Sequence, residues 1–315
     1  MGNTIWLWVI FNIFVVAMLA LDLGLFHRRA HEIGVKESLA WTAFWIVLAI
    51  LFDAGLYVWA GPDRALEFLT GYLIEKALSV DNIFVFLLIF SYFGVSAVYQ
   101  HKVLFWGILG ALIMRGAFIF GGIALIERFN WITYILGLFL IVSGIKLGLQ
   151  GKKEVHPERN PVLRLLRRFL PLTEGNGDGR FFLREGGRLF VTPLLVVLVA
   201  IETTDVIFAS DSIPAILAIT LDSFIVYTSN VFAILGLRML YFALAGIMPH
   251  FHLLHYGLAI ILIFVGIKML VVDFYSIPVE AALGAVVGIL VASVVVSRLT
   301  LKTGRGAGNR GGPGV

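Results

Sequence analysis

A membrane-crossing helix needs roughly 20 mostly apolar residues, and this chain offers nine such runs in succession. They fall at 5–26, 39–60, 66–93, 103–126, 131–149, 189–217, 225–247, 253–272 and 279–297. In hydrocarbon the backbone must satisfy its own polar groups, so runs of this length can only be helices. Composition agrees. Of 315 residues, 60% are hydrophobic and 14% charged, too little polar surface to clothe a soluble protein of this size. The predicted fold class is all-α: a polytopic membrane protein of about nine transmembrane helices whose solvent, and constant partner, is the lipid bilayer. The opening "MGNTIWLWVIFNIF" has no basic n-region and no small-residue cleavage site, so it reads as the first span rather than a removed leader. Cysteine is absent, which excludes disulfides, thiolate metal sites and cysteine nucleophiles. No nucleophile–base motif points to an enzyme, and no prosthetic group is expected.

The basic residues set an orientation. Seventeen lysines and arginines, from Arg28 and Arg29 through Lys102, Arg164, Arg167, Arg168 and Arg188 to Arg310, fall on alternate connections, against Arg64 and Arg128 on the other side. The positive-inside rule then puts the N-terminus outside and the C-terminus in the cytoplasm. The same bias explains the net charge of +4 without nucleic acid. Organisation follows: two N-terminal helices (1–60), a first repeat (61–149), a cytoplasmic loop (150–188), a second repeat (189–273), a last helix (274–300) and a disordered glycine-rich tail (301–315). Within the loop, "NPVLRLLRRFLP" sets Leu163, Leu166 and Leu170 against Arg164, Arg167 and Arg168. That pattern suits either a helix on the anionic leaflet or a solvated connector. The seven histidines sit on inner connections or segment ends; the cluster His250, His252 and His255 reads as interfacial rather than as a metal trap.

The repeat is internal and inverted. "YILGLFLIVSGIKL" (134–147) matches "YGLAIILIFVGIKM" (256–269), and "WGILG" (106–110) matches "FAILG" (232–236). Glu75 and Asp81-Asn82-Ile83 match Asp205 and Asp211-Ser212-Ile213. Segments 3–5 thus pair with segments 6–8, which enter the membrane from the opposite side. Secondary transporters are commonly built this way, with the site near the midplane.

Five carboxylates lie in that repeat: Glu75, Asp81, Glu202, Asp205 and Asp211. A charge at mid-membrane is costly, so five call for compensation. Arg115 and Arg238 can balance two and Lys76 a third, leaving an excess of negative charge for a divalent cation or protons. Glu202 and Asp205 share a helix face. Glu75 and Asp81, like Asp205 and Asp211, are six residues apart, so they converge only if the helix loosens between them. Pro214 would break segment 6 by leaving the Ser210 carbonyl without a donor; the repeat implies a matching break near Ser79–Asn82. The donors, helped by Asn82 and Ser210, are oxygen, which suits Mn, Mg or Ca. A buried ion-pair network that only fixes helix packing is the competing reading. Asp22 reads as an interfacial ion pair, Asp53 as a structural or vestibule residue, and Asn230 as a partner for backbone.

At "LDLGLFHRRAHEI", "EKALSVDNIFVF", "ETTDVIFASDSIPAI" and "NVFAILGLRMLYF" the chain resembles the TerC family, and within it the Alx-like branch. That resemblance implies a polytopic bacterial inner-membrane protein related to the LysE group of exporters. It links the chain to metal homeostasis, notably manganese export, and to tellurium resistance. It also implies that Glu75, Asp81, Glu202, Asp205 and Asp211 carry the ion. The expectation is export of Mn²⁺ or a similar divalent ion as transported substrate, with proton antiport as a coupling these carboxylates would support. The alternatives are a non-transporting scaffold for metal loading or assembly of other proteins, and an exporter of a cationic organic solute.

Overall fold

A computed structural model describes residues 2–26, 34–149, 179–185, 188–245, 254–275 and 277–307. Its elements are α1 (Gly2–Phe26), α2 (Val35–Ala60), α3 (Pro62–Tyr92), α4 (Ala97–Arg128) and α5 (Ile132–Leu149). A hairpin, β1 (Phe182–Glu185) and β2 (Arg188–Val191), leads into α6 (Pro193–Leu217), α7 (Ser223–Leu235), α8 (Leu237–Ala245), α9 (Leu254–Leu270) and α10 (Val279–Ala307). The molecule is mostly helical. Six helical stretches among the described residues are long and apolar enough to cross a membrane, with shorter apolar helices at Ile5–Leu21 and His255–Leu270. Helix α3 is not among the six, because it carries Glu67, Glu75, Lys76 and Asp81. Outward faces are greasy: Ile113, in the middle of α4, is 69% exposed, and so are Val58, Leu138 and Val291 in large part. In water such faces would aggregate; in lipid they are solvated.

Local chemistry sets the helix ends. Gly61, at φ 95°, turns the chain out of α2, and Pro62 opens α3, where its missing N–H costs nothing. Pro193 opens α6 in the same way. At α7 the Asp222 side chain accepts from the amides of Phe224 and Ile225.

Helix α3 is the central post, touching α2, α6, α7, α8, α9 and α10. On one side an aromatic cluster joins it to α1, α2 and α7, with Phe52 4.9 Å from Phe232 and 5.2 Å from Phe68. Each such pair adds about 0.5–1.5 kcal/mol beyond its buried area. On another side α5 and α9 pack antiparallel, closely enough that glycine is required. A Cβ on Gly137 would stand 2.9 Å from the Gly266 carbonyl, and one on Gly144 2.7 Å from the Ala259 carbonyl. Small residues let helix backbones approach where no hydrophobic force drives association.

Three expectations need correction. The connection before α6 is not free of strands: Phe182 pairs with Val191 and Glu185 with Arg188 in an antiparallel hairpin. "FFLREGGRLFV", two alternating runs about Gly-Gly, is the signal for it. Second, α3 runs unbroken through Ser79–Asn82, and α6 runs unbroken through Pro214 to Leu217. Residues 212–217 are all buried, and the Pro214 carbonyl accepts from Ala218, so packing holds the last turn despite the proline. The discontinuity falls in the seventh segment instead, where Gly236 separates α7 from α8. Third, α10 continues to Ala307, past the end read for the last span. The segment "NPVLRLLRRFLP", His250, His252 and the end of the tail lie outside the described residues.

Candidate functional site

The carboxylates of the repeat surround the middles of α3, α4 and α6. Arg115, the largest fully buried side chain, extends from α4 between the other two helices. Its Nη2 and Nε donate to Asp205 Oδ1 and Oδ2 at 2.9 and 3.0 Å, a bidentate fork. Its Nη1 donates to Glu75 Oε1, and Ser212 Oγ lies 3.5 Å from the same nitrogen. Glu75 and Asp205, the positions matched by the repeat, therefore meet at one guanidinium. Both are buried.

Asn230 Nδ2 donates to Glu75 Oε2 at 3.2 Å. This corrects its expected role as a partner for backbone: Asn230 lies inside α7 rather than at its start, and its buried amide reaches a side chain on the neighbouring helix. Lys76 also differs from expectation. Its ammonium reaches the Ala233 carbonyl, at 3.4 Å, rather than a carboxylate. The break at Gly236 strands carbonyls at the end of α7, and Lys76 answers one. A Cβ on Gly236 would stand 2.8 Å from that ammonium and 3.1 Å from Trp45 Cβ, so a larger residue there would displace the lysine tip.

The remaining carboxylates are held differently. Asp211 Oδ1 accepts from Ser143 Oγ of α5 at 2.8 Å. Glu202 rests on Gly110 of α4, where any added Cβ would collide with its carboxylate. Among the described residues its buried Oε2 has no hydrogen-bond partner, and the same is true of Ser79 Oγ and Asn82 Nδ2. Buried polar atoms are normally paired, so three orphans on two neighbouring helices call for an explanation. Ser210 turns its hydroxyl back to the Ile207 carbonyl at 2.6 Å. The side chains of Asp81 and Asp22 lie outside the described residues. Beside Asp205 a cavity of about 20 Å³, also lined by Gly107, Ile201 and Arg238, has room for roughly one water. Among the described residues no group of three or more His, Cys, Asp or Glu side chains is placed to hold a metal ion.

Sequence reasoning missed Asn230 as a carboxylate partner and Ser143 altogether. Ser143 has a signal, since it interrupts an apolar run within the repeat.

A family model described as "Integral membrane protein TerC family" matches residues 60–305. An uncharacterized membrane protein of Myxococcus xanthus is 53% identical over 291 residues, covering 92% of this chain and 91% of the relative. A protein of Escherichia coli K12 named "Putative membrane-bound redox modulator Alx" is 49% identical over 300 residues, covering 92% of this chain and 94% of its own length. The protein of that name in Salmonella typhi is 48% identical over 300 residues, covering 92% and 93%. No solved structure gives a significant match.

Proposed function

The chain belongs to the TerC family of integral membrane proteins, and on that premise we propose that it exports a divalent cation, Mn²⁺ foremost, from the bacterial cytoplasm. The observation that carries this reading is the convergence of Glu75 and Asp205 on Arg115 inside the membrane-embedded core, with orphaned donors and acceptors alongside. Oxygen donors of this kind favour hard cations. Arg115 stands where a transported cation would be neutralised, and the 20 Å³ cavity leaves no room for both. The cycle proposed is therefore an exchange: the cation enters as the guanidinium swings aside, with Glu75, Asp81, Glu202, Asp205 and Asp211 as its ligands. Asn82 and Ser210 support them, and Arg238 shares the charge balance. Protons are the coupling ion these carboxylates would accept.

The packing of α5 on α9 supports an inverted repeat. Matching 134–147 with 256–269 equates Gly137 with Ala259 and Gly144 with Gly266. The close contacts are Gly137 with Gly266 and Gly144 with Ala259, the exchange that a two-fold axis across an antiparallel pair produces. Nine spans, an external N-terminus and a cytoplasmic C-terminus complete the proposal. Reporters fused at Gly175 and Gly308 are expected to be active only in cytoplasmic assays; opposite sidedness would defeat the topology.

Glu202→Gln tests the transport reading in cells. The substitution keeps the shape over Gly110 and removes a charge that meets no cation within 4.0 Å among the described residues. Membrane abundance is expected to hold while manganese efflux falls to the level of cells lacking the protein. Unimpaired efflux would remove Glu202 from the site.

A second reading has its own support. Arg115 already balances Glu75 and Asp205, and the described residues gather no metal cluster, which favours an ion-pair network in a scaffold protein. The relatives named as redox modulators do not add a thiol chemistry to it, because this chain has no cysteine. Any redox influence would run through the ion moved. An organic cation would need a wider pocket than the one beside Asp205.

A further inference from the structure

A second cavity, of about 380 Å³, lies at one end of the bundle, where α4, α6 and α9 finish and α5 and α10 begin. Its size falls within the range of small-molecule sites. Among the described residues the only charged one in its wall is Lys268, which is 8% exposed. Among the described residues no carboxylate lines it, so it is not built as a vestibule for a cation. Glu67 acts on the Lys268 ammonium through space but is not part of the wall.

An ammonium carries three donors. Lys268 gives one to the Ala218 carbonyl, at 3.0 Å, just past the end of α6. The other two have no hydrogen-bond partner among the described residues. Thr220 contributes little, because its hydroxyl accepts from the Asp222 amide and is hydrogen-bonded to the Glu67 carboxylate. The rest of the wall is largely apolar, formed by Ile126, Leu217, Met269 and Val272. A small inorganic anion would waste that apolar surface. A buried cation beside an apolar recess, at the end of membrane helices, matches a phosphate with an acyl chain attached. Membranes supply that chemistry in their anionic lipids.

We propose that this cavity binds an anionic membrane phospholipid, with Lys268 holding the phosphate and the apolar wall taking the first acyl carbons. The site is independent of the acidic centre around Arg115.

The test uses the purified full chain in neutral detergent and follows its apparent melting temperature. Phosphatidylglycerol, phosphatidylcholine and inorganic phosphate are added separately. Phosphatidylglycerol at saturation is expected to raise the midpoint by roughly 5 °C, and the other two by much less. Lys268→Met removes the phosphate donor, and Val272→Phe fills the recess while leaving Lys268 in place. Each is expected to reduce the phosphatidylglycerol shift to the phosphatidylcholine level. An equal shift with inorganic phosphate would overturn the assignment to lipid, and an equal shift with phosphatidylcholine would overturn the role of the anion. Should Lys268→Met fail to fold, a full phosphatidylglycerol shift in Val272→Phe alone overturns the site.

Discussion

Arg115→Gln is expected to lower the amount of folded protein in the membrane by roughly tenfold or more. Removing one partner of a buried pair costs about 3–5 kcal/mol, because the charge left behind has no water to solvate it. Here one substitution strands two carboxylates. Glu75 would keep only the amide of Asn230 at 3.2 Å, and Asp205 would lose both bonds of its fork, at 2.9 and 3.0 Å. A loss of that size exceeds half the net stability of many domains and shows as degradation in cells. The triple variant Arg115→Gln, Glu75→Gln, Asp205→Asn removes the stranded charges and is expected to restore abundance. Immunoblots of membrane fractions measure both. Normal abundance of Arg115→Gln would mean that the guanidinium is not what makes the buried carboxylates tolerable.

The parts of the fold fixed by solvent were legible in the sequence. Apolar runs announced membrane helices, and mid-membrane charges announced that something must neutralise them. Glu75, Asp205 and Arg115 were each identifiable because in hydrocarbon a charge needs a reason. Which cation answers which carboxylate was not legible, since that depends on helix rotation. Lys76 illustrates the point: it adjoins Glu75 in sequence, yet faces the Ala233 carbonyl. Pro214 illustrates another limit. Its local preference for a break was overridden because the residues around it are all buried. The actual discontinuity, at Gly236, had no proline to mark it. Lys76 and Trp45 stand close by it, a contact between distant parts of the chain. The hairpin at 182–191 was readable and was obscured by the polar stretch before it.

Asp211→Asn separates chemistry from folding more cleanly than any change at Arg115. Asparagine keeps an oxygen that can accept from Ser143, as Asp211 does at 2.8 Å, and removes the charge. Abundance is therefore expected to match the wild type. Binding of a hard cation depends on ligand charge, so transport is expected to be lost. The decisive measurement is Mn²⁺ flux across liposomes containing the purified chain and no other protein. The account predicts flux well above that of protein-free liposomes for the wild type, and flux equal to protein-free liposomes for Asp211→Asn. Wild-type protein that is folded and correctly inserted yet moves no Mn²⁺ would contradict it and leave the buried charges as scaffold.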